Sequence, residues 1–339
     1  MFRLVASLVL ILTLAAPAQA AVGAWAGLSP NGPALPPSGG PPLRTEPDLA
    51  RALHDYDAAI ARNPDDPFAY HGRAVIWHRL GELERAIADY DRAIALAPAY
   101  AEAHRDLGDA WYGRDEFLRA IAGYAKAVDL NPRDFIAYNN RGAANEILGF
   151  LDRAIADYTK SVELNPGYAR AYRNRGDAWD KKGESARAIA DYDKAIALNP
   201  RDYVAYLNRG ATFNNMGRPE RALADFNQSI ELNPDVALSY WNRAIIRVNR
   251  GDVDEAIGDF SRAIALDPAD AESYAERGWL RARRGQIISA IKDLAMTLRL
   301  RIARSEGARR WVELFQLVAD MFGFDPESPA LETGDAAGG

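Results

Sequence analysis

The chain has 339 residues, with 41 Lys and Arg against 47 Asp and Glu and a formal net charge of −6. It contains no cysteine, which excludes disulfide staples, thiolate metal sites and thiol nucleophiles. Hydrophobic residues make up 48% and charged residues 26%, so a core is available, and the acidic balance predicts no broad attraction to nucleic acid or anionic lipid.

Residues 1–20 have the form of a secretory signal peptide. Arg3 supplies the positive start, Leu4 to Ala16 the apolar run, and Ala18-Gln19-Ala20 a small-x-small cleavage site. The run is too short for an ordinary spanning helix. Cleavage after Ala20 and a periplasmic or secreted destination are expected, with an uncleaved membrane anchor as the alternative. No membrane contact is expected beyond this segment. Residues 21–46 are rich in Pro and Gly and should form an extended linker.

Residues 47–66 match the second helix of a larger motif, through Ala52, Tyr56, Ala59, Ile60 and Pro64. That motif fills residues 67–304. Seven prolines, Pro64, Pro98, Pro132, Pro166, Pro200, Pro234 and Pro268, stand at one constant interval. A fixed period of this length means one supersecondary unit stacked repeatedly. The repeats begin at Pro67, Ala101, Phe135, Ala169, Tyr203, Ala237 and Ala271. In the first, Tyr70, Ala74 and Trp77 mark one helix face, and Ala86, Ile87, Tyr90, Ala93 and Ile94 mark a second. Between them Gly81, like Gly149, Gly183, Gly217, Gly251 and Gly285, suits a helix end that needs positive φ. Asp115 breaks this in repeat two. Alanine at 86, 120, 154, 188, 222, 256 and 290 falls where two helices must approach closely. Repeat seven lacks the closing proline, with Ile302 in its place. Residues 305–323 carry an apolar stripe, Trp311, Leu314, Phe315, Val318 and Met321, that suits a closing helix, and 324–339 read as a disordered tail.

A helix–turn–helix of this period, with aromatic, Gly/Ala, aromatic, Ala and Pro at these offsets, resembles the tetratricopeptide repeat family. The resemblance implies an all-α, right-handed α-solenoid of seven repeats, with an N-terminal half-repeat helix and a C-terminal capping helix.

Comparison of the repeats with one another exposes a pair. Arginine occupies position seven in six repeats (Arg73, Arg141, Arg175, Arg209, Arg243, Arg277) and aspartate position twenty-three in the same six (Asp89, Asp157, Asp191, Asp225, Asp259, Asp293). Repeat two has Leu107 and Gly123, so both partners are lost together. The pair should close across a hairpin or between neighbouring hairpins. The rival reading is a pair along the second helix, such as Arg85 with Asp89 or Arg187 with Asp191.

The residues of an active site are missing from the pattern: there is no phosphate loop, nucleophile elbow or HExxH. His71, His78 and His104 could form a weak metal site, but His104 holds the aromatic core position of its repeat. No metal and no cofactor is expected, and the chain is not expected to be an enzyme.

The family resemblance implies that first helices line a concave groove and that ligands are peptides or extended segments. Positions two, five, nine and twelve then face the groove. Its early part is polar, including Arg173 and Asp177. Its later part is apolar: Val204, Leu207, Ala211, Leu238, Trp241, Ile245, Val248 and Trp279. An exposed apolar run with tryptophan suits a contact site. Asn140, Asn174, Asn208 and Asn242 fit one position of the basic clamp with which some relatives hold acidic tails, but Asp109, Ala143 and Asp177 stand where Asn is wanted. The expected role is a scaffold or adaptor that binds another protein. A self-associating structural factor of the cell envelope and a regulatory subunit of a separate enzyme are the alternatives. Partner identity and oligomeric state stay open.

Overall fold

The computed structural model describes residues 46–303. The expected signal peptide, the linker up to residue 45, the segment 305–323 and the tail lie outside the described residues. Within them there are fifteen helices and no strand. The first described helix is α1 (Glu46–Arg62). Then come seven helix pairs: α2 (Pro67–Arg79) with α3 (Leu83–Leu96), α4 (Ala101–Gly113) with α5 (Phe117–Leu130), α6 (Phe135–Ile147) with α7 (Leu151–Leu164), α8 (Ala169–Lys181) with α9 (Ser185–Leu198), α10 (Tyr203–Asn215) with α11 (Pro219–Leu232), α12 (Ala237–Arg250) with α13 (Val253–Leu266), and α14 (Ala271–Arg283) with α15 (Ile287–Ala303). The chain packs as two compact units, which divide the described residues into 46–212 and 213–303.

Local chemistry sets each boundary. The turn glycines from Gly81 to Gly285 take φ between 70° and 84°, where a Cβ would be strained. In repeat two Asp115 adopts φ 60° instead, which a short polar side chain tolerates. The residue after the turn donates its N–H back five positions, as in Glu82 to the Trp77 carbonyl at 2.9 Å and Glu184 to Trp179 at 2.9 Å. Second helices stop two residues before their proline, which cannot extend the ladder. The last helix has no proline to stop it and runs on to Ala303.

Within a hairpin the alanines at position twenty are sealed, and Tyr90, Tyr124, Tyr158, Tyr192, Phe226 and Phe260 four residues later are the largest fully buried side chains. The glycine at position eight makes room for that ring. A Cβ built on Gly176 would lie 2.8 Å from the Tyr192 ring.

The arginine–aspartate pair closes as a two-pronged bridge in five hairpins. Arg73 donates from Nε and Nη2 to Asp89 at 2.7 and 2.7 Å, Arg175 to Asp191 at 2.8 and 2.8 Å, and Arg277 to Asp293 at 3.0 and 2.8 Å. Arg141–Asp157 and Arg243–Asp259 repeat the arrangement. The remaining nitrogen reaches the preceding hairpin: Arg73 Nη1 to Asp57 at 2.7 Å, Arg175 to Thr159 at 3.1 Å, and Arg277 to Ser261 at 2.8 Å. One guanidinium thus fixes both the hairpin and its seat on the neighbour. Arg85 and Arg187 follow neither rival pairing. They lie over the rings of Trp77 and Trp179, at 4.7 and 4.6 Å. In repeat two the gap left by Leu107 and Gly123 is closed by backbone. A Cβ on Gly123 would meet the His104 carbonyl at 3.0 Å and Gly108 Cα at 3.1 Å.

Candidate functional site

The predicted groove residues lie on α8, α10, α12 and α14, the first helices of repeats four to seven. In the unit 46–212 their environment is a polar layer built from first helices. Asp109 on α4 is 1% exposed; its Oδ1 accepts from Tyr124 Oη at 2.7 Å and Asn140 Nδ2 at 2.9 Å. Asp177 on α8 repeats this, accepting from Tyr192 Oη at 2.8 Å and Asn208 Nδ2 at 2.7 Å. Each carboxyl therefore joins three helices: its own, the second helix of its hairpin and the first helix of the next.

Arginines flank the two carboxyls. Arg105 donates to Asp106 at 3.0 Å and to Asp134 at 2.9 Å, and Arg173 donates to both oxygens of Asp202 at 3.0 and 2.8 Å. Asp134 and Asp202 also accept N–H groups in the first turns of α6 and α10. The members of the two sets correspond at twice the repeat interval: Arg105 and Arg173, Asp109 and Asp177, Tyr124 and Tyr192, Asp134 and Asp202, Asn140 and Asn208. Two repeats, not one, form the period of this layer. Between the sets Asn174 donates to Asn139 at 3.0 Å and Asn139 to Asn140 at 3.1 Å. Glu146 accepts from Tyr158 Oη at 2.6 Å and from Lys181 Nζ at 2.7 Å.

Burial without a direct cation raises both carboxyls. Asp109 is pushed well above the usual carboxylate range by burial and then by the charge of Asp106. Asp177 is pushed up to about 7 by burial and then by Glu146. Burial also raises Asp180, which Thr212 partly offsets by donating at 3.0 Å.

Arg173 and Asp177, expected to line the groove, are 7% and 8% exposed, and their polar atoms serve neighbouring helices. Asn140 and Asn208 are spent in the same way, and Asn242 donates to the Leu238 carbonyl at 2.9 Å. Val204 and Leu207 are 5% and 3% exposed, so little of their surface is left for a partner; Ala211 is half-buried.

The unit 213–303 differs. Leu238, Trp241, Ile245, Val248 and Trp279 are all half-buried. Four of them, Trp241, Ile245, Val248 and Trp279, pack against a core of Ala244, Ala256, Phe260 and Leu280. Arg283 covers part of Trp279, with its guanidinium 4.6 Å from the ring centre. Here position twenty-four is Phe226 or Phe260, which has no hydroxyl to satisfy, and position nine is apolar.

His71 is wedged between Tyr100 Oη at 3.0 Å and Asp106 Oδ2 at 2.8 Å, and His104 Nε2 stands 3.0 Å from the Pro98 carbonyl. Among the described residues no group of three or more His, Cys, Asp or Glu could hold a metal ion. None of the described helices is long and apolar enough to cross a membrane.

Profiles of the tetratricopeptide repeat match residues 105–168 and 243–301, and 169–202 and 203–236, and a TPR repeat profile matches 76–115. The chain belongs to the tetratricopeptide repeat family, whose members are typically non-catalytic scaffolds that bind other proteins. Among curated proteins nothing matches. A tetratricopeptide repeat protein from Parabacteroides merdae shares 22% identity at TM-score 0.55, over 69% of this chain and 93% of that one. The C-terminal part of a TPR repeat-containing protein from Cytophaga hutchinsonii shares 19% at TM-score 0.51, over 68% and 94%. The APC/C hetero-tetramer Cut9–Hcn1 shares 15% at TM-score 0.61, over 68% of this chain and 46% of that one, so the match spans less than half of that structure's chain. At these identities the likeness is one of fold.

Proposed function

We propose that this protein is a non-catalytic scaffold that holds an extended segment of another protein against the first helices of its last two repeats. The observation that carries this reading is the row Leu238, Trp241, Ile245, Val248 and Trp279, which retains apolar surface while resting on a sealed core. Tryptophan anchors supported from below suit a binding hot spot. The polar layer of repeats two to five is read as internal bracing, because its carboxyls, amides and guanidinia already bond one another.

Export forms part of the reading. Its support is the sequence of residues 1–20, with cleavage after Ala20 and a periplasmic or secreted location. Trp241→Ala in the full chain should weaken capture of a partner from the envelope fraction at least tenfold while far-ultraviolet circular dichroism stays unchanged. Unaltered capture would remove this row from the site. Sedimentation of the pure protein as a monomer would separate the adaptor from a self-assembling envelope factor.

A further inference from the structure

The polar layer contains two buried carboxyls that no cation touches, and their geometry has a consequence beyond bracing. Both donors at Asp109, the Tyr124 hydroxyl and the Asn140 amide, converge on Oδ1. Oδ2 is sealed from solvent and has no protein partner. At Asp177 the Tyr192 hydroxyl and Asn208 amide again converge on Oδ1. An ionised carboxylate would be poorly served by such one-sided bonding, whereas a neutral carboxyl accepts through one oxygen and carries its proton on the other.

The surrounding charges do not rescue the ionised form. Around Asp109 stand Arg105, Asp106 and Tyr112 on α4, Tyr90 on α3, Tyr124 on α5 and Tyr168 before α8. Glu146 on α6 faces Tyr112, and His78 on α2 faces Asp106. The one guanidinium, Arg105, is bound to Asp106 and Asp134. Around Asp177 stand Arg173 and Asp180 on α8, Glu146 on α6, Tyr158 on α7 and Tyr192 on α9. Arg173 is held by Asp202, and Lys181 by Glu146.

We propose that Asp109 and Asp177 are proton-held latches: each keeps consecutive hairpins in register while its carboxyl is neutral, and the polar layer of repeats two to five loosens as the carboxyl ionises. Ionisation places a charge in a sealed layer already occupied by Asp106 and Glu146. Asp177 ionises from an ordinary 3.8 in the open chain and from about 7 when folded. A folded value above the unfolded one means that the proton stabilises the fold. This stability is complete below about pH 4 and is lost as pH rises to about 7; burial shifts Asp109 in the same direction, so its proton contributes with the same sign.

The test is urea unfolding of the full chain at pH 5, 6, 7 and 8, in wild type, Asp109→Asn, Asp177→Asn and the double variant. Asparagine mimics the neutral carboxyl. The wild-type folding constant should fall with pH by up to about tenfold per pH unit for each titrating latch. Asp177→Asn should remove one latch's share of the fall and leave that of Asp109, and the double variant should lose both shares. Asp129→Asn, at an exposed position, should keep the wild-type slope. Equal slopes in wild type and double variant would overturn the proposal. Infrared spectra of the wild-type chain with carbonyl-labelled aspartate add a readout that needs no variant. A protonated carboxylic acid band at pH 6 that weakens by pH 8 supports the latches; its absence at pH 6 overturns them.

Discussion

Tyr192 donates its phenolic hydrogen to Oδ1 of Asp177 at 2.8 Å, across the two helices of one hairpin. The same bond joins Tyr124 to Asp109, and Tyr158 finds Glu146 instead. Every tyrosine in this row is sealed, so its hydroxyl needs an acceptor in the core. The inner acids are those acceptors. Tyr90 has Val75 at position nine of its repeat, and its hydroxyl has no protein partner.

This contrast predicts opposite outcomes for one substitution. Tyr192→Phe should cost about 1 kcal/mol, the net worth of a hydrogen bond plus the loss of a donor to a buried carboxyl. Tyr90→Phe should fall within about 0.5 kcal/mol of wild type or stabilise, since it removes an unmet polar group. Urea denaturation of both variants checks this, and equal costs would contradict it.

Asp191→Asn should destabilise the fold by roughly 1.5–3 kcal/mol, the range for hydrogen bonds to charged groups. Both prongs of Arg175 end on Asp191, and Asp191 is almost fully buried. Thermal melting measures the loss. An unchanged melting temperature would show that the bridge contributes nothing to the fold.

Gly176→Ala tests the close approach of α8 and α9. The added methyl would sit 2.8 Å from the Tyr192 ring. Overpacking of this kind costs about 1–3 kcal/mol. Gly258→Ala is the control, because its Cβ would meet nothing within 4 Å. Urea midpoints should separate the two variants, and similar midpoints would contradict the packing.

The repeat boundaries, turn glycines and arginine–aspartate pairs were legible in the sequence because each depends on one offset that recurs in successive repeats. Arg173 and Asp177 were harder to place. The family resemblance puts position nine in the groove, but whether a carboxyl there is free depends on a tyrosine at position twenty-four and an asparagine at position six of the next repeat. The signal was present: Asp109, Tyr124 and Asn140 recur two repeats on as Asp177, Tyr192 and Asn208. It requires comparing alternate repeats rather than adjacent ones. The stacking of Arg85 and Arg187 on tryptophan was hidden for another reason. Trp77 and Trp179 lie across the turn from those arginines, so spacing along one helix cannot reveal them.

A partner protein held against the apolar row of the last two repeats would lie within reach of position 241. Site-specific photocrosslinking in the full chain measures this most directly, with a photoreactive phenylalanine in place of Trp241 and, separately, in place of the exposed Arg262. A discrete crosslinked protein is expected from position 241 and none of that mass from position 262. Equal labelling at both positions, or crosslinks from 262 alone, would contradict it.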